Sequence, residues 1–227
     1  MKHLINYSDS RARGQCLYCG GPPETKEHVP SRVLLDRPLP DNLPIVEACK
    51  SCNNGFSLDE EYLACLLDCI LSGSVNPEDL QRENIKRTMK KRPSIAKKMK
   101  NALKEVNGKR YFKIEYDRVE RVVLKIAQGH ILYEINELYR DSATVQIAPF
   151  SCMEEGDIQA FENLPQQNVC PEVGSRGMQR LMTRQDLQPS GWIIVQPNRY
   201  RFTVLHSERT EVRMVLSEYL ACRVFWE

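Results

Sequence analysis

The sequence predicts an α+β protein with a zinc-bound module at its N-terminus. Three observations carry that expectation. Two Cys-x-x-Cys pairs stand early in the chain, a segment dense in lysine and arginine follows them, and the C-terminal half mixes short β-type runs with helical ones. The expected organisation is a zinc module over residues 1–75, a basic helical segment over 76–110, and an α+β domain with an antiparallel sheet over 111–227.

A chain of 227 residues can make one large or two small domains. With 41% hydrophobic and 27% charged residues, its composition is that of an ordinary soluble globular protein. Net charge is only +2, so bulk charge does not argue for a nucleic-acid partner, and any such argument must rest on charge distribution. No apolar run of about 18 residues exists, so no transmembrane helix is expected. Residues 1–14 lack an apolar core, so they do not read as a secretory signal.

The first pair is Cys16/Cys19 and the second Cys49/Cys52. A Cys-x-x-Cys turn brings two sulfurs to one metal, and two such turns close a tetrahedral Zn²⁺ shell. The 29 residues between them, 20–48, exceed a compact zinc finger, so the insert is expected to carry chemistry. Within it, residues 20–26 are turn-formers. An apolar run, Val29 to Leu35, is broken by Pro30; 37–44 is a proline-rich loop; Ile45–Ala48 is a short strand. Ser57-Leu-Asp-Glu60 matches a capping box, which predicts a helix starting after Ser57 and ending near Gly73.

In order along the chain, Cys16-Leu-Tyr-Cys19, Glu27-His28, Asp41-Asn42 and Cys49-Lys-Ser-Cys52-Asn53 resemble the HNH endonuclease family, which has a ββα-metal fold. The resemblance covers about a fifth of the chain. It departs from the commoner pattern at Glu27, where Asp is usual, and at Asn53, where the last His often stands. The resemblance implies that His28 is the general base and that Glu27 and Asn53 hold one divalent ion, Mg²⁺ or Mn²⁺. It also implies that Asn42 fixes the loop or orients His28, and that the Cys₄ zinc is structural.

Asn76-Pro-Glu-Asp reads as a helix start. Arg82 to Arg110 carries twelve Lys or Arg against two Glu, with Ile85, Met89, Ile95, Met99 and Leu103 as an intermittent apolar face. Pro93 divides it into two helices. Such a cluster is either a solvated face or a phosphate-contacting surface. Beyond it, Tyr111–Tyr116 alternates as a strand, and Val119 to His130 share a helical face that Gly129 weakens, with His130 as a core histidine. Thr144–Pro149 reads as a strand, Glu154–Glu162 as a helix and 163–190 as loop. Strands are expected at Trp192–Gln196, Tyr200–His206, Val212–Val215 and Ala221–Trp226, with a turn at Pro197-Asn198.

The other cysteines, Cys65, Cys69, Cys152, Cys170 and Cys222, read as core thiols of a reducing cytoplasm. Two function classes follow. One is a metal-dependent HNH-type endonuclease that hydrolyses phosphodiester bonds in DNA, with RNA as a second candidate substrate; defence, restriction, mobility and repair are all contexts open to it. It has no membrane role, and a homodimer would supply two active sites. The other is a non-enzymatic zinc-ribbon adaptor that binds nucleic acid or protein.

Overall fold

The computed structural model describes residues 10–41, 43–165, 171–183, 190–207 and 209–227. It is mixed α+β, and its residues group into two units. One joins Met1–Gly55 to Val123–Glu227; the other is Phe56–Val122. The sequence suggested three consecutive stretches instead.

The first unit opens with an antiparallel pair, β1 (Thr25–His28) and β2 (Ile45–Ala48), in register from Thr25↔Ala48 to His28↔Ile45. Helix α1 (Lys50–Ser72) follows directly, and Lys50–Gly55 of it belong to this unit. The helix thus begins eight residues earlier than the Ser57 box suggested. The reason is local: the exposed N–H groups of a first helical turn need acceptors. Here Cys52 N–H donates to Cys49 Sγ at 3.4 Å and Lys50 N–H to Glu24 Oε2 at 3.0 Å. With those partners in place the turn forms at the second knuckle, and Ser57 becomes an exposed mid-helix residue.

The rest of this unit is a five-stranded antiparallel sheet with a helix against each face. The strands are β5 (Thr144–Pro149), β6 (Ile193–Gln196), β7 (Tyr200–His206), β8 (Thr210–Leu216) and β9 (Leu220–Trp226), in the order β5-β9-β8-β7-β6. Helix α4 (Tyr116–Ile135) contributes Val123–Ile135 here. Its His130 is fully buried, stacks on Phe202 with centroids 3.6 Å apart, and sits 2.7 Å from the Tyr200 hydroxyl. That is the core role expected of it. On the other face, α5 (Glu155–Glu162) packs Phe161 with Trp192, Val215 and Ala221. Helix α6 (Arg176–Thr183) forms inside the stretch read as loop; its Arg180 makes a two-pronged pair with buried Glu134.

Gly129 does not end α4. A Cβ there would come within 2.5 Å of a Val29 methyl, so glycine is what lets the helix approach the segment just after β1.

The second unit holds the remainder of α1, then α2 (Glu83–Lys91), α3 (Pro93–Ala102), the hairpin β3 (Leu103–Val106) and β4 (Lys109–Phe112), and the start of α4. The two helices divide at Pro93 as expected, and α1 ends at Gly73, whose φ of +62° suits glycine. The hairpin corrects the reading of 103–110 as helix. Asn107 and Gly108 have φ of 52° and 73°, the geometry of a two-residue hairpin turn, and the lysine density of the segment masked this Asn-Gly signal. Tyr62 lies at the centre of this unit; its hydroxyl accepts from Glu115 N–H, and Arg118 lies over its ring while pairing with Asp59.

Cys65, Cys69 and Cys222 are buried, and burial, the first cause at each, raises the first two thiols to about 12. Cys152 is exposed, against the expectation that it is a core thiol, because it falls in a single 3₁₀ turn at the end of β5. Glu60, the last residue of the Ser57 box, is buried. Cys170 and Asn42 lie outside the described residues. Among the described residues no helix is long and apolar enough to cross a membrane.

Candidate metal centre and active site

Cys16, Cys19, Cys49 and Cys52 come together with their sulfurs within 4.8 Å of one another, and such a group can hold a zinc ion. The Cys19–Cys49 sulfur separation is 3.7 Å. A tetrahedron with Zn–S bonds of about 2.3 Å has S–S edges of about 3.8 Å, so the spacing suits Zn²⁺.

Each knuckle is shaped by its own backbone. In the first, Gly20 N–H donates to Cys16 O, Cys16 N–H donates to Gly21 O, and Gly20 has φ +75°. Arg140 then laces this turn from far along the chain, donating to the carbonyls of Leu17 and Cys16 and to Gln15 Oε1. The second knuckle is the first turn of α1. The sulfurs are electrostatically unequal. Burial opposes ionisation of Cys16, but backbone N–H groups of Cys49, Cys19 and Tyr18 outweigh it and bring that thiol down to about 7. Burial, then the neighbouring Cys49, Cys19 and Cys16 sulfurs, push Cys52 up.

Beside the cluster, β1 carries Glu27 and His28. Glu27 is buried, 8% exposed, and faces Lys125 on α4, itself 2% exposed. Lys125 Nζ lies 2.8 Å from Glu27 Oε1 and 2.9 Å from Ser31 Oγ, and Ser31 Oγ is 3.4 Å from the same carboxylate oxygen. His28 is half-buried at the end of β1, opposite Ile45. Asn53, one turn into α1, donates from Nδ2 to Thr25 Oγ1 at 3.0 Å, while Thr25 Oγ1 donates to Ala48 O. Thr25 and Glu27 are two apart on a strand and share a face. Asn53 is therefore pinned to the face of β1 that bears Glu27.

Each of these two residues keeps one oxygen, Glu27 Oε2 and Asn53 Oδ1, that makes no hydrogen bond among the described residues. Uncommitted carboxylate and amide oxygens are ligand types that hard divalent cations take. Lys125 and Arg140 were not singled out from the sequence. Lys125 left a trace there, as a lone charge inside the apolar run Val122-Val123-Leu124-Lys125-Ile126-Ala127. Nothing about Arg140 distinguishes it from any surface arginine until the chain is folded.

Compared with protein-family models, with curated proteins and with solved structures, the chain has no significant match.

Proposed function

We propose that this chain is a metal-dependent phosphodiester hydrolase of HNH type that cleaves DNA. One arrangement supports the reading: a strand pair and helix around a four-thiol cluster, with Glu27-His28 on the first strand and Asn53 tied to that same strand from the helix's first turn. In this reading His28 accepts the proton of the attacking water, since an imidazole titrates near neutral pH. Glu27 Oε2 and Asn53 Oδ1 hold Mg²⁺ or Mn²⁺, which when bound supplies charge stabilisation at the phosphate and the leaving oxygen. The four thiolates hold a structural Zn²⁺ that fixes the start of α1, and with it Asn53. Lys125 and Ser31 orient the Glu27 carboxylate.

The basic helices α2 and α3 fit the role of a DNA-contacting surface. Lys90 pairs with Glu78 and Lys98 with Glu115. Arg87, Lys91, Lys97 and Lys100 make no ion pair among the described residues, so they offer phosphate contacts without first breaking one.

The second reading, a zinc-ribbon adaptor, is favoured by one observation: a buried ammonium already balances the Glu27 charge. Plasmid nicking in Mg²⁺ or Mn²⁺ separates the two. The hydrolase reading expects nicking by the wild-type chain and its loss in His28→Ala. A folded, zinc-loaded chain that leaves plasmid intact selects the adaptor.

A further inference from the structure

A cavity of about 590 Å³ lies on the sheet face that α5 covers, in the size range of small-ligand sites. Its floor carries a row of donors. Gln146, Arg223 and Arg213 are direct neighbours in register on β5, β9 and β8. Ala221 extends that floor as apolar surface, and Phe161 and Ala160 of α5 form a wall that also includes Asp157.

The arginines here share a single acidic partner. Arg209, Arg213 and Arg223 converge on the single carboxylate of Glu211, at 3.4, 2.6 and 2.7 Å. One carboxylate is thus shared by three guanidinium groups, of which Arg213 and Arg223 line the cavity and Arg209 does not. Nor are the forks used up. Arg213, whose side chain is 8% exposed, gives Nε to Glu211 and Nη1 to the carbonyls of Ala160, Phe161 and Asn163. Arg223 gives Nε and Nη2 to Glu211. Arg213 Nη2 and Arg223 Nη1 make no hydrogen bond among the described residues. Glu211 and the end of α5 thus brace two guanidinium groups, each keeping one nitrogen uncommitted, on side chains that line the cavity. A braced guanidinium is suited to planar or tetrahedral oxyanions.

We infer that this cavity binds a small organic anion, a carboxylate or phosphate ester bearing an apolar body. The head group is held by Arg213 and Arg223, and the body lies over Ala148 and Met153, half-buried apolar residues of the lining, next to Ala221 and Phe161. The inference is independent of the phosphodiester reading.

The test is a titration of the full zinc-loaded chain with benzoate, phenyl phosphate and inorganic phosphate, followed by NMR at Ala221 and Phe161. Saturable shifts are expected with at least one of the two aromatic anions, and the tighter of them identifies the head group. Inorganic phosphate, which has no body to bury, is expected to bind more weakly. Arg223→Gln removes one charge-assisted hydrogen bond to the head group and should weaken binding about ten-fold or more. Ala160→Trp, at an exposed position of the wall, should block the cavity without touching the arginines. Absence of saturation with both aromatic anions overturns the site. Undiminished binding in folded Ala160→Trp overturns it too, and inorganic phosphate binding as tightly as the aromatic anions overturns the apolar half of the inference.

Discussion

Lys125 Nζ sits 2.8 Å from Glu27 Oε1, joining α4 to β1 across 98 residues of sequence through a pair that is almost wholly buried. Removing one partner of a buried pair strands the other charge, at a cost of about 3–5 kcal/mol. Lys125→Met is therefore expected to lower unfolding free energy by that order. The double change Lys125→Met with Glu27→Gln should recover much of it, because no charge is then left unpaired. Urea denaturation of the wild type and the two variants checks this; equal losses in the single and double variants would mean that packing, not charge, is what Lys125 supplies.

The zinc prediction is independent of catalysis. Protein purified without added metal should contain one Zn²⁺ per chain, read by elemental analysis. Structural sites of this kind bind with about 10–16 kcal/mol of apparent free energy in small finger peptides. Cys49→Ser should therefore lower the melting temperature as well as the zinc content, since Cys49 also caps α1. A folded wild-type chain without zinc contradicts the assignment.

At the candidate active site the variants should separate by role. His28→Ala should keep both fold and DNA binding while cleavage falls by about 10²–10⁴-fold, the usual cost of losing a general base. Asn53→Ala should instead raise the Mg²⁺ or Mn²⁺ concentration needed for half-maximal rate. Rate measured against metal concentration distinguishes them. If His28→Ala cleaves like the wild type, this histidine is not the base.

The basic helices give a salt-dependence prediction. Changing Lys91 and Lys97 to Gln should weaken binding to unrelated DNA sequences alike. It should also flatten the slope of log K against log salt by about 0.9 for each phosphate that is no longer neutralised. Lys90 and Lys98 are already paired with Glu78 and Glu115, so the same change there should have the smaller effect. An unchanged slope in the Lys91/Lys97 variant returns α2 and α3 to the status of a solvated face.

His130 gives a pH prediction. Burial, aided by the Arg180 charge, holds its imidazole well below the usual range. The folded chain keeps His130 neutral while the unfolded chain protonates it below about pH 6.5. Below that pH the unfolded state binds the extra proton, so stability should fall as pH falls, by up to about 1.4 kcal/mol per unit. His130→Gln should flatten this part of the profile while costing stability at neutral pH, where its packing on Phe202 is removed. Melts from pH 5 to 7 read both effects, and an unaltered acid slope in the variant would reject the assignment.

The metal cluster was legible in the sequence because a Cys-x-x-Cys turn is local: four residues fix where two sulfurs go. The strands of the C-terminal sheet and the break at Pro93 were legible for the same reason, through two-residue alternation and a missing N–H. The start of α1 was not, because its acceptors are Glu24 and a knuckle sulfur rather than the Ser57 box. The hairpin at Asn107-Gly108 was present in the sequence but hidden under the lysines around it. What only the tertiary structure decided is which distant groups meet. Lys125 reaches Glu27, Arg140 laces the first knuckle, and Arg223 of β9 reaches Glu211 of β8. These partners stand far apart in sequence, and where they are buried the pair is strengthened by the loss of screening water, which no local pattern encodes.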